Sequence, residues 1–174
     1  MRLSYQSEYV TYWYLFGNEN VLDLQKTGLL PASMLPKEVQ DQYRGRNPNN
    51  PHETSDQYFK RMYDKFYKHV LNLPYQHYGI YTTPLDLRGI APVHLRIRFE
   101  IDQLGDRLVL HNHPTNLFCK PTPEIVRSVV SEFTPTKIKH IYATVAERRF
   151  RFMPQIVYFG DVPLHFNKSQ IETW

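Results

Sequence analysis

The chain is 174 residues long, 41% of its residues are hydrophobic, and it carries a net charge of +4. This length suits one domain with its own core, and the hydrophobic content excludes a wholly disordered chain. A single cysteine, Cys119, excludes a disulfide framework within the chain and a four-thiolate zinc site.

Charge and ring content indicate the kind of partner. The chain has 13 tyrosines and 10 phenylalanines, and its pI is about 9.1. Basic side chains release counterions from a polyanion and rings stack on bases, so nucleic acid is a candidate partner. An ordinary basic domain with its rings in the core would have the same composition.

Residues 1–8 lack the apolar stretch of a signal peptide and no run reaches membrane-spanning length, so we expect a cytoplasmic protein with no membrane partner.

The first part of the chain predicts a strand, a helix and a loop. Residues 9–16, YVTYWYLF, are aromatic and β-prone, which is typical of a buried strand. Asn18 can cap a helix over 19–27, which Gly28 would end. Residues 36–54 are polar, and the sequence RGRNPNNP at 44–51 is the clearest loop signal in the chain.

A further helix is predicted after Thr54, because Thr54 and Gln57 have the spacing of a capping box. Helical spacing predicts an apolar face formed by Phe59, Met62, Tyr63, Phe66, Val70 and Leu71. The opposite face carries Lys60, Arg61, Lys65 and Lys68. An amphipathic helix packs on a core by its apolar face, and this basic face could also lie along a phosphate backbone. We expect a helical insertion at about 36–75.

From residue 76 onward the apolar pattern has a period of two. Strands are predicted over 78–83, 93–101, 107–110, 137–145, 149–159 and 162–166, with a helix from Pro123 to about Phe133. Gly160 and Asp161 predict a tight connection between the last two strands. The expected fold class is a single α+β domain, 1–174, with a mainly antiparallel, split sheet and helices mostly from the N-terminal half.

The stretch RLVLHNHPTNLFCKPTPE at 107–124 carries a possible zinc site. His111 and His113 project from one face of a continuing strand, and Glu124 could add an oxygen ligand. The stretch resembles the His-x-His-Pro motif of the JAMM zinc isopeptidases and the RadC proteins. Pro121 stands at the family's serine position, and Glu53, at a suitable distance for the general base, is in a loop-like segment. We therefore expect no metal, with a JAMM-like zinc metallohydrolase as one alternative function.

Four other stretches, taken together, resemble the ADP-ribosyltransferase-like fold of toxins and DarT-type proteins. The stretch GNENVLDLQKTGLLPAS at 17–33 is similar to the opening strand-to-helix segment of that family. YGIYTTP at 78–84 resembles the strand whose aromatic ring stacks on nicotinamide. VHLRIRFEIDQLG at 93–105 resembles the central strand, and MPQIVYFGDVPLHF at 153–166 resembles the last catalytic strand. The resemblance implies NAD as the cofactor.

Carried over residue by residue, the resemblance implies three positions. Tyr14 falls where the family has a histidine or arginine that holds the NAD ribose. Tyr78 or Tyr81 is the ring that stacks on nicotinamide. Gln155 falls at the catalytic glutamate. Two of these three positions therefore depart from the family pattern, so the implied transferase could have lost its activity.

Arginines are the candidate nucleic-acid contacts. Strict alternation places Arg96 and Arg98 on one strand face, and Arg148 and Arg149 belong to a charged stretch that could contact phosphate. The first function to consider is an NAD-dependent ADP-ribosyltransferase-like protein acting on nucleic acid or protein. Its alternatives are the zinc hydrolase and a non-catalytic basic module that binds nucleic acid or another partner.

Overall fold

The computed structural model describes residues 9–15, 20–75, 79–89, 91–112, 118–132 and 153–174. Within these ranges the chain combines helices with two antiparallel sheets, which confirms the predicted α+β class. The predicted strand over 137–145 and the first part of the one over 149–159 lie outside the described residues. In the part of the chain that the structure describes, no helix has the length and apolar character that a membrane crossing needs.

The strands are β1 (Val10–Tyr14), β2 (Ile80–Thr82), β3 (Leu95–Glu100), β4 (Leu108–His111), β5 (Phe118–Cys119), β6 (Gln155–Tyr158) and β7 (Ile171–Thr173). The α-helices are α1 (Val21–Thr27), α2 (Lys37–Gln40), α3 (Ser55–Met62), α4 (Lys68–Leu71) and α5 (Pro123–Ser131). Short 3₁₀ turns cover Ala32–Met34, Asp41–Tyr43, Ile101–Leu104 and Lys168–Gln170.

Helix α1 starts two residues later than the sequence predicts. Its N-cap is Asn20 rather than Asn18, and the Asn20 side chain accepts a hydrogen bond from the backbone N–H of Leu22 at 3.0 Å. Asparagine at both positions made the cap ambiguous from sequence. Gly28 ends the helix as predicted, with a φ of 77° that a residue with a Cβ rarely adopts.

The capping box that precedes α3 is confirmed. The Thr54 hydroxyl accepts from the backbone N–H of Gln57 at 3.2 Å, and the Gln57 side chain accepts from the backbone N–H of Thr54 at 2.9 Å. Helix α5 starts in a similar way, since Thr122 caps it and Pro123 is its first residue. These two starts follow from contacts over three residues and need no tertiary context.

Two antiparallel sheets meet along β1 and β2. One sheet has the order β1-β3-β7 and the other the order β2-β6-β4-β5. Tyr12 and Thr83 pair across the junction with two backbone hydrogen bonds of 2.8 and 2.9 Å. The buried hydroxyls of Thr11 and Thr82 are also hydrogen bonded there, and Thr82 donates to the carbonyl of Ile156 at 2.7 Å. The sheet is therefore split, but its two halves stay joined at one point.

The main core lies on one side of this split sheet. Its buried side chains come from both halves, from the turn after β3, from α5 and from the paired segments around Leu29 and Leu164, and they include Ile80, Ile97, Phe99, Leu104, Leu108, Leu110, Val126, Val129 and Ile156. The other side of the β2-β6-β4 half packs against the helical segment 63–71, which includes α4, through Tyr63, Tyr67, Val109, Val157 and Phe159. This half of the sheet is thus an inner layer between the main core and the helical segment.

Between α3 and α4 the helix contains a π-helical turn, Tyr63–Tyr67. Both of its tyrosines are almost completely buried. A π turn inserts an extra residue, so it shifts the side chains that follow around the helix axis. Tyr67 reaches the core and Phe66 is only partly buried, although simple helical spacing selects Phe66 and omits Tyr67.

The predicted hairpin through Gly160 and Asp161 is wrong. Residues 162–166 form no strand with β6, and Leu164 instead pairs with Leu29 through two backbone hydrogen bonds of 2.9 Å. The C-terminal strand β7, which the sequence did not predict, pairs with β3. A distant partner therefore takes the backbone groups that the sequence assigned to a local hairpin.

Candidate functional site

Several of the predicted site residues share one face of the split sheet. Directly paired residues of antiparallel strands point to the same side, as do residues two apart on one strand. The Tyr12–Thr83 pair therefore places Tyr14 and Tyr81 on one face. Tyr81 pairs with Val157, which lies two residues from Gln155, so Gln155 is on this face as well. The three positions implied by the transferase resemblance, with Tyr81 as the stacking ring, lie on the same side of the sheet.

Gln155 and His111 form the centre of this face. They are directly paired residues of β6 and β4. Gln155 is only 8% exposed. Burial lowers the pKa of His111, and the neighbouring Gln155 side chain offsets this in part. The histidine is therefore held as a neutral imidazole near pH 7.

Aromatic rings enclose the His111 imidazole. It is stacked on Phe118, with ring centroids 5.0 Å apart and planes at 15°. Tyr67 and Tyr81 approach it edge-on at 6.3 and 6.1 Å. Its Nδ1 atom is buried and has no hydrogen-bond partner among the residues that the structure describes. A buried polar atom of this kind is costly unless a water molecule or a ligand pairs with it.

Tyr81 is fixed by a residue that the sequence did not single out. Its hydroxyl lies 3.3 Å from the hydroxyl of Tyr67, within hydrogen-bond distance. Tyr67 is 1% exposed and comes from the π turn. The sequence signal that could have found it is the pair of tyrosines four apart, Tyr63 and Tyr67. Tyr78, the other candidate ring, lies outside the described residues.

Tyr14 shares the face but is covered by a different segment. It is 3% exposed and packs with Leu85, Leu87 and Met153. Its hydroxyl donates to the carbonyl of Leu85 at 3.2 Å and accepts from the backbone N–H of Leu87 at 2.8 Å. Burial raises the pKa of Tyr14. The hydroxyl thus anchors the 84–87 segment and is already occupied.

Arg96 is buried, although the alternating pattern predicts an open arginine face. It is 4% exposed, and its guanidinium binds Glu172 at 2.5 Å and Asp86 at 3.0 Å. The same guanidinium lies 4.0 Å above the ring of Tyr12. Strand β7 and the segment containing Asp86 cover it, which strand alternation alone does not reveal. These contacts join three distant parts of the chain.

The other predicted arginines differ in accessibility. The Arg98 side chain is 50% exposed, and its nearest carboxylate, Glu172, is 3.9 Å away. Arg148 and Arg149 lie outside the described residues. The polyanion contact predicted for these arginines stays a prediction. Of the two arginines on β3, Arg98 is the one that is exposed to solvent.

The basic face of α3 and α4 carries ion pairs. Lys60 binds Asp64 at 2.7 Å, and Arg61 holds Glu53 through two hydrogen bonds of 2.7 and 3.1 Å. Hydrogen bonding from Arg61 lowers the pKa of Glu53. Glu53 is therefore an ion-paired residue before α3, as its loop-like sequence context suggested, and the charge of this helix face is partly neutralised.

The alternative zinc ligands are only partly described. His111 ends β4 among aromatic rings, Glu124 is exposed in the first turn of α5, and His113 lies outside the described residues. Within the described ranges, no group of three or more His, Cys, Asp or Glu side chains is placed to hold a metal ion. The expectation of no metal stays a prediction.

The arrangement on β2, β4 and β6 offers an aromatic ring, an amide and a neutral imidazole around one buried point. Such groups can bind a flat ring and can form hydrogen bonds with hydroxyl groups, but they carry no charge.

No family model, no curated protein and no solved structure matches the chain.

Proposed function

We propose that this chain is an ADP-ribosyltransferase-like protein that binds NAD⁺ beside Tyr81, His111 and Gln155. The observation that supports the proposal is the shared face. Tyr81 and Gln155 come from distant stretches that resemble the family, and they lie on neighbouring antiparallel strands, β2 and β6. His111 adds a polar group that neither stretch contains.

The side chains fit such a ligand in part. The Tyr81 ring can stack on nicotinamide, and the Gln155 amide can hydrogen-bond a ribose hydroxyl. The Nδ1 atom of His111 would gain a partner from a polar ligand. Tyr14 does not fit its implied role, because its hydroxyl is bonded to Leu85 and Leu87. The NAD contacts in this proposal therefore come from β2, β4 and β6 and not from β1.

The chemistry expected at this site is weak. Transfer of ADP-ribose breaks the bond between ribose and nicotinamide, and positive charge develops on the ribose. A carboxylate near the ribose would stabilise that charge, whereas the Gln155 amide is neutral. His111, held neutral by burial, supplies no negative charge either. The proposed protein binds NAD⁺ and turns it over slowly unless a target supplies a strong nucleophile.

A binding measurement tests this proposal directly. Isothermal titration calorimetry with NAD⁺ should show binding with a Kd below about 1 mM for the wild type. Gln155→Ala should weaken the binding about 2- to 10-fold, since one hydrogen bond contributes about 0.5–1.5 kcal/mol. Tyr81→Ala should weaken it by a similar factor or more through the lost stacking.

The matched control is Gln42→Ala, which truncates an exposed glutamine far from these strands in the sequence. It should leave NAD⁺ affinity unchanged. If the wild type fails to bind NAD⁺ at 1 mM, or if Gln155→Ala and Gln42→Ala bind it equally, the proposed site is wrong.

A further inference from the structure

A second surface of the chain combines exposed arginines with stacked tyrosine rings. We call it the arginine–tyrosine surface, and it consists of Tyr43, Arg44, Arg46, Tyr58 and Arg61. The Arg46 guanidinium lies over the Tyr43 ring, 4.5 Å from its centroid. Tyr43 is in turn stacked against Tyr58, with centroids 5.7 Å apart and planes at 27°. Arg61 covers the Tyr58 ring at 5.5 Å. These four groups form one short ladder, in which the two stacked rings lie between the two guanidinium groups.

The two ends of this ladder differ in their ionic partners. Arg61 is bound by the buried carboxylate of Glu53, so its charge is neutralised. Arg46 is exposed, and its Nε donates to the backbone carbonyl of Gln42 at 3.2 Å. Among the residues that the structure describes, Arg46 has no carboxylate partner. Its guanidinium is thus held in place by neutral groups and keeps its full charge.

The surrounding charge is also positive. Arg44 and Lys37 both bind the same carboxylate, Asp41, at 2.9 and 3.0 Å. Asp41 is thus shared by two of the cations, and Arg46 adds a third positive charge without a carboxylate partner among the described residues. The Arg44 and Lys37 side chains are 53% and 61% exposed. The surface therefore combines excess positive charge with an ordered guanidinium plane.

We propose that the arginine–tyrosine surface is a binding site for single-stranded nucleic acid. An unstacked base can lie on the outer face of the Arg46 guanidinium, which Tyr43 supports from below. The free N–H groups of Arg46 and the nearby cations can contact phosphates. A duplex keeps its bases stacked inside and offers only its phosphates to this surface, so a single strand uses more of the available contacts.

This site is independent of NAD chemistry. It is formed by residues 37–61, whereas the proposed NAD site is formed by strands β2, β4 and β6. Its location also differs from the polyanion contact expected from sequence at Arg96 and Arg98, of which Arg96 is buried whereas Arg46 is exposed. Binding at this surface can be measured without NAD⁺, so failure of either proposal leaves the other intact.

Fluorescence anisotropy with labelled 20-nucleotide oligothymidylate and oligouridylate, and with a 20-base-pair duplex, tests the site. At about 50 mM salt the wild type should bind the single strands more tightly than the duplex. Arg46→Ala should raise the Kd for the single strands about tenfold, through the lost stacked base. It should also reduce the slope of log K against log salt by about 0.7 for each lost phosphate contact.

Arg46→Lys separates charge from geometry. Lysine keeps the positive charge but cannot form the planar stack, so the salt slope should persist while the Kd rises several-fold. Arg127→Ala is the matched control, because Arg127 is also exposed and lies over a tyrosine, Tyr9, at 5.2 Å on another surface. It should change the Kd less than twofold.

Three results would overturn the proposal. The first is no detectable binding of either single strand by the wild type at low salt. The second is an equal loss in Arg46→Ala and Arg127→Ala, which would indicate general charge attraction. The third is equal affinity for duplex and single strand together with wild-type affinity in Arg46→Lys, which would assign the surface to any polyanion. Thermal melting curves of each variant confirm that the compared proteins are folded.

Discussion

His111 and Gln155 lie directly opposite each other on β4 and β6, although they are 44 residues apart in the sequence. The His111 ring contacts two aromatic rings from other elements, Tyr67 from the π turn and Phe118 from β5. The imidazole is neutral because it is buried, and the amide cannot ionise. The centre of the candidate site is therefore polar but uncharged, and this property determines its expected chemistry.

The first prediction concerns the dependence of stability on pH. Burial lowers the pKa of His111 in the folded protein below 6.5, the ordinary value that it regains on unfolding. Between the two pKa values the unfolded chain binds more protons, so stability is lost as pH falls below about 6.5. His111 should contribute a slope of at most about 1.4 kcal/mol per pH unit. Urea unfolding at pH 7.5, 6.5 and 5.5 measures this slope.

His111→Gln removes the titrating group and should flatten this part of the curve. His52→Gln serves as the control, since His52 is exposed in the loop before α3. A His111→Gln variant with the full wild-type slope would show that another group causes the loss of stability.

The second prediction concerns Gln155 and NAD⁺ turnover. Gln155→Glu places a carboxylate where the amide now lies, and a preorganised charge of this kind is worth about 3–4 kcal/mol in a transition state, or roughly 10²–10³ in rate. We expect slow nicotinamide release from the wild type and measurably faster release from Gln155→Glu. Chromatographic analysis of nicotinamide over time, with Gln155→Ala as the neutral control, gives the rates. Robust wild-type turnover that Gln155→Ala leaves unchanged would place the active site elsewhere.

The third prediction separates the two arginines of β3. Arg96→Ala should lower the free energy of unfolding by about 2–3 kcal/mol, because it leaves Glu172 and Asp86 without their buried partner. Breaking a fully buried ion pair typically costs about 3–5 kcal/mol. The expected loss for Arg96→Ala is smaller because both carboxylates keep contact with solvent. Arg98→Ala should cost less than about 0.5 kcal/mol, because Arg98 is half exposed. Chemical denaturation of both variants measures the difference, and equal losses would contradict the assigned roles.

The fourth prediction concerns zinc. We expect no stoichiometric zinc in the purified protein, because Pro121 replaces the family serine and the carboxylate of Glu53 is bound by Arg61. Elemental analysis of protein dialysed without chelator measures the content. About one zinc per chain, lost in His111→Ala, would revive the zinc hydrolase and remove the basis for the proposed NAD site.

The sequence by itself determined the features that depend on contacts over a few residues. The capping box of Thr54 and Gln57 and the end of α1 at Gly28 follow from bonds between near neighbours along the chain. The alternating pattern likewise located the centre of β3 and the α+β class. The identity and order of these residues are sufficient for such predictions, because the partners are always within reach.

Only the tertiary structure decided which of these elements meet. Arg96 faces away from the main core, as its alternation predicts, but Glu172, 76 residues later, covers it. Leu164 pairs with Leu29 rather than within a hairpin, and the π turn brings Tyr67 instead of Phe66 to Tyr81 and His111. In each case a long-range contact competes with the structure that the local pattern predicts. The long-range contact prevails because it buries more side-chain surface. The sequence contains the residues of the site, but the pairing of β2, β6 and β4 brings them together.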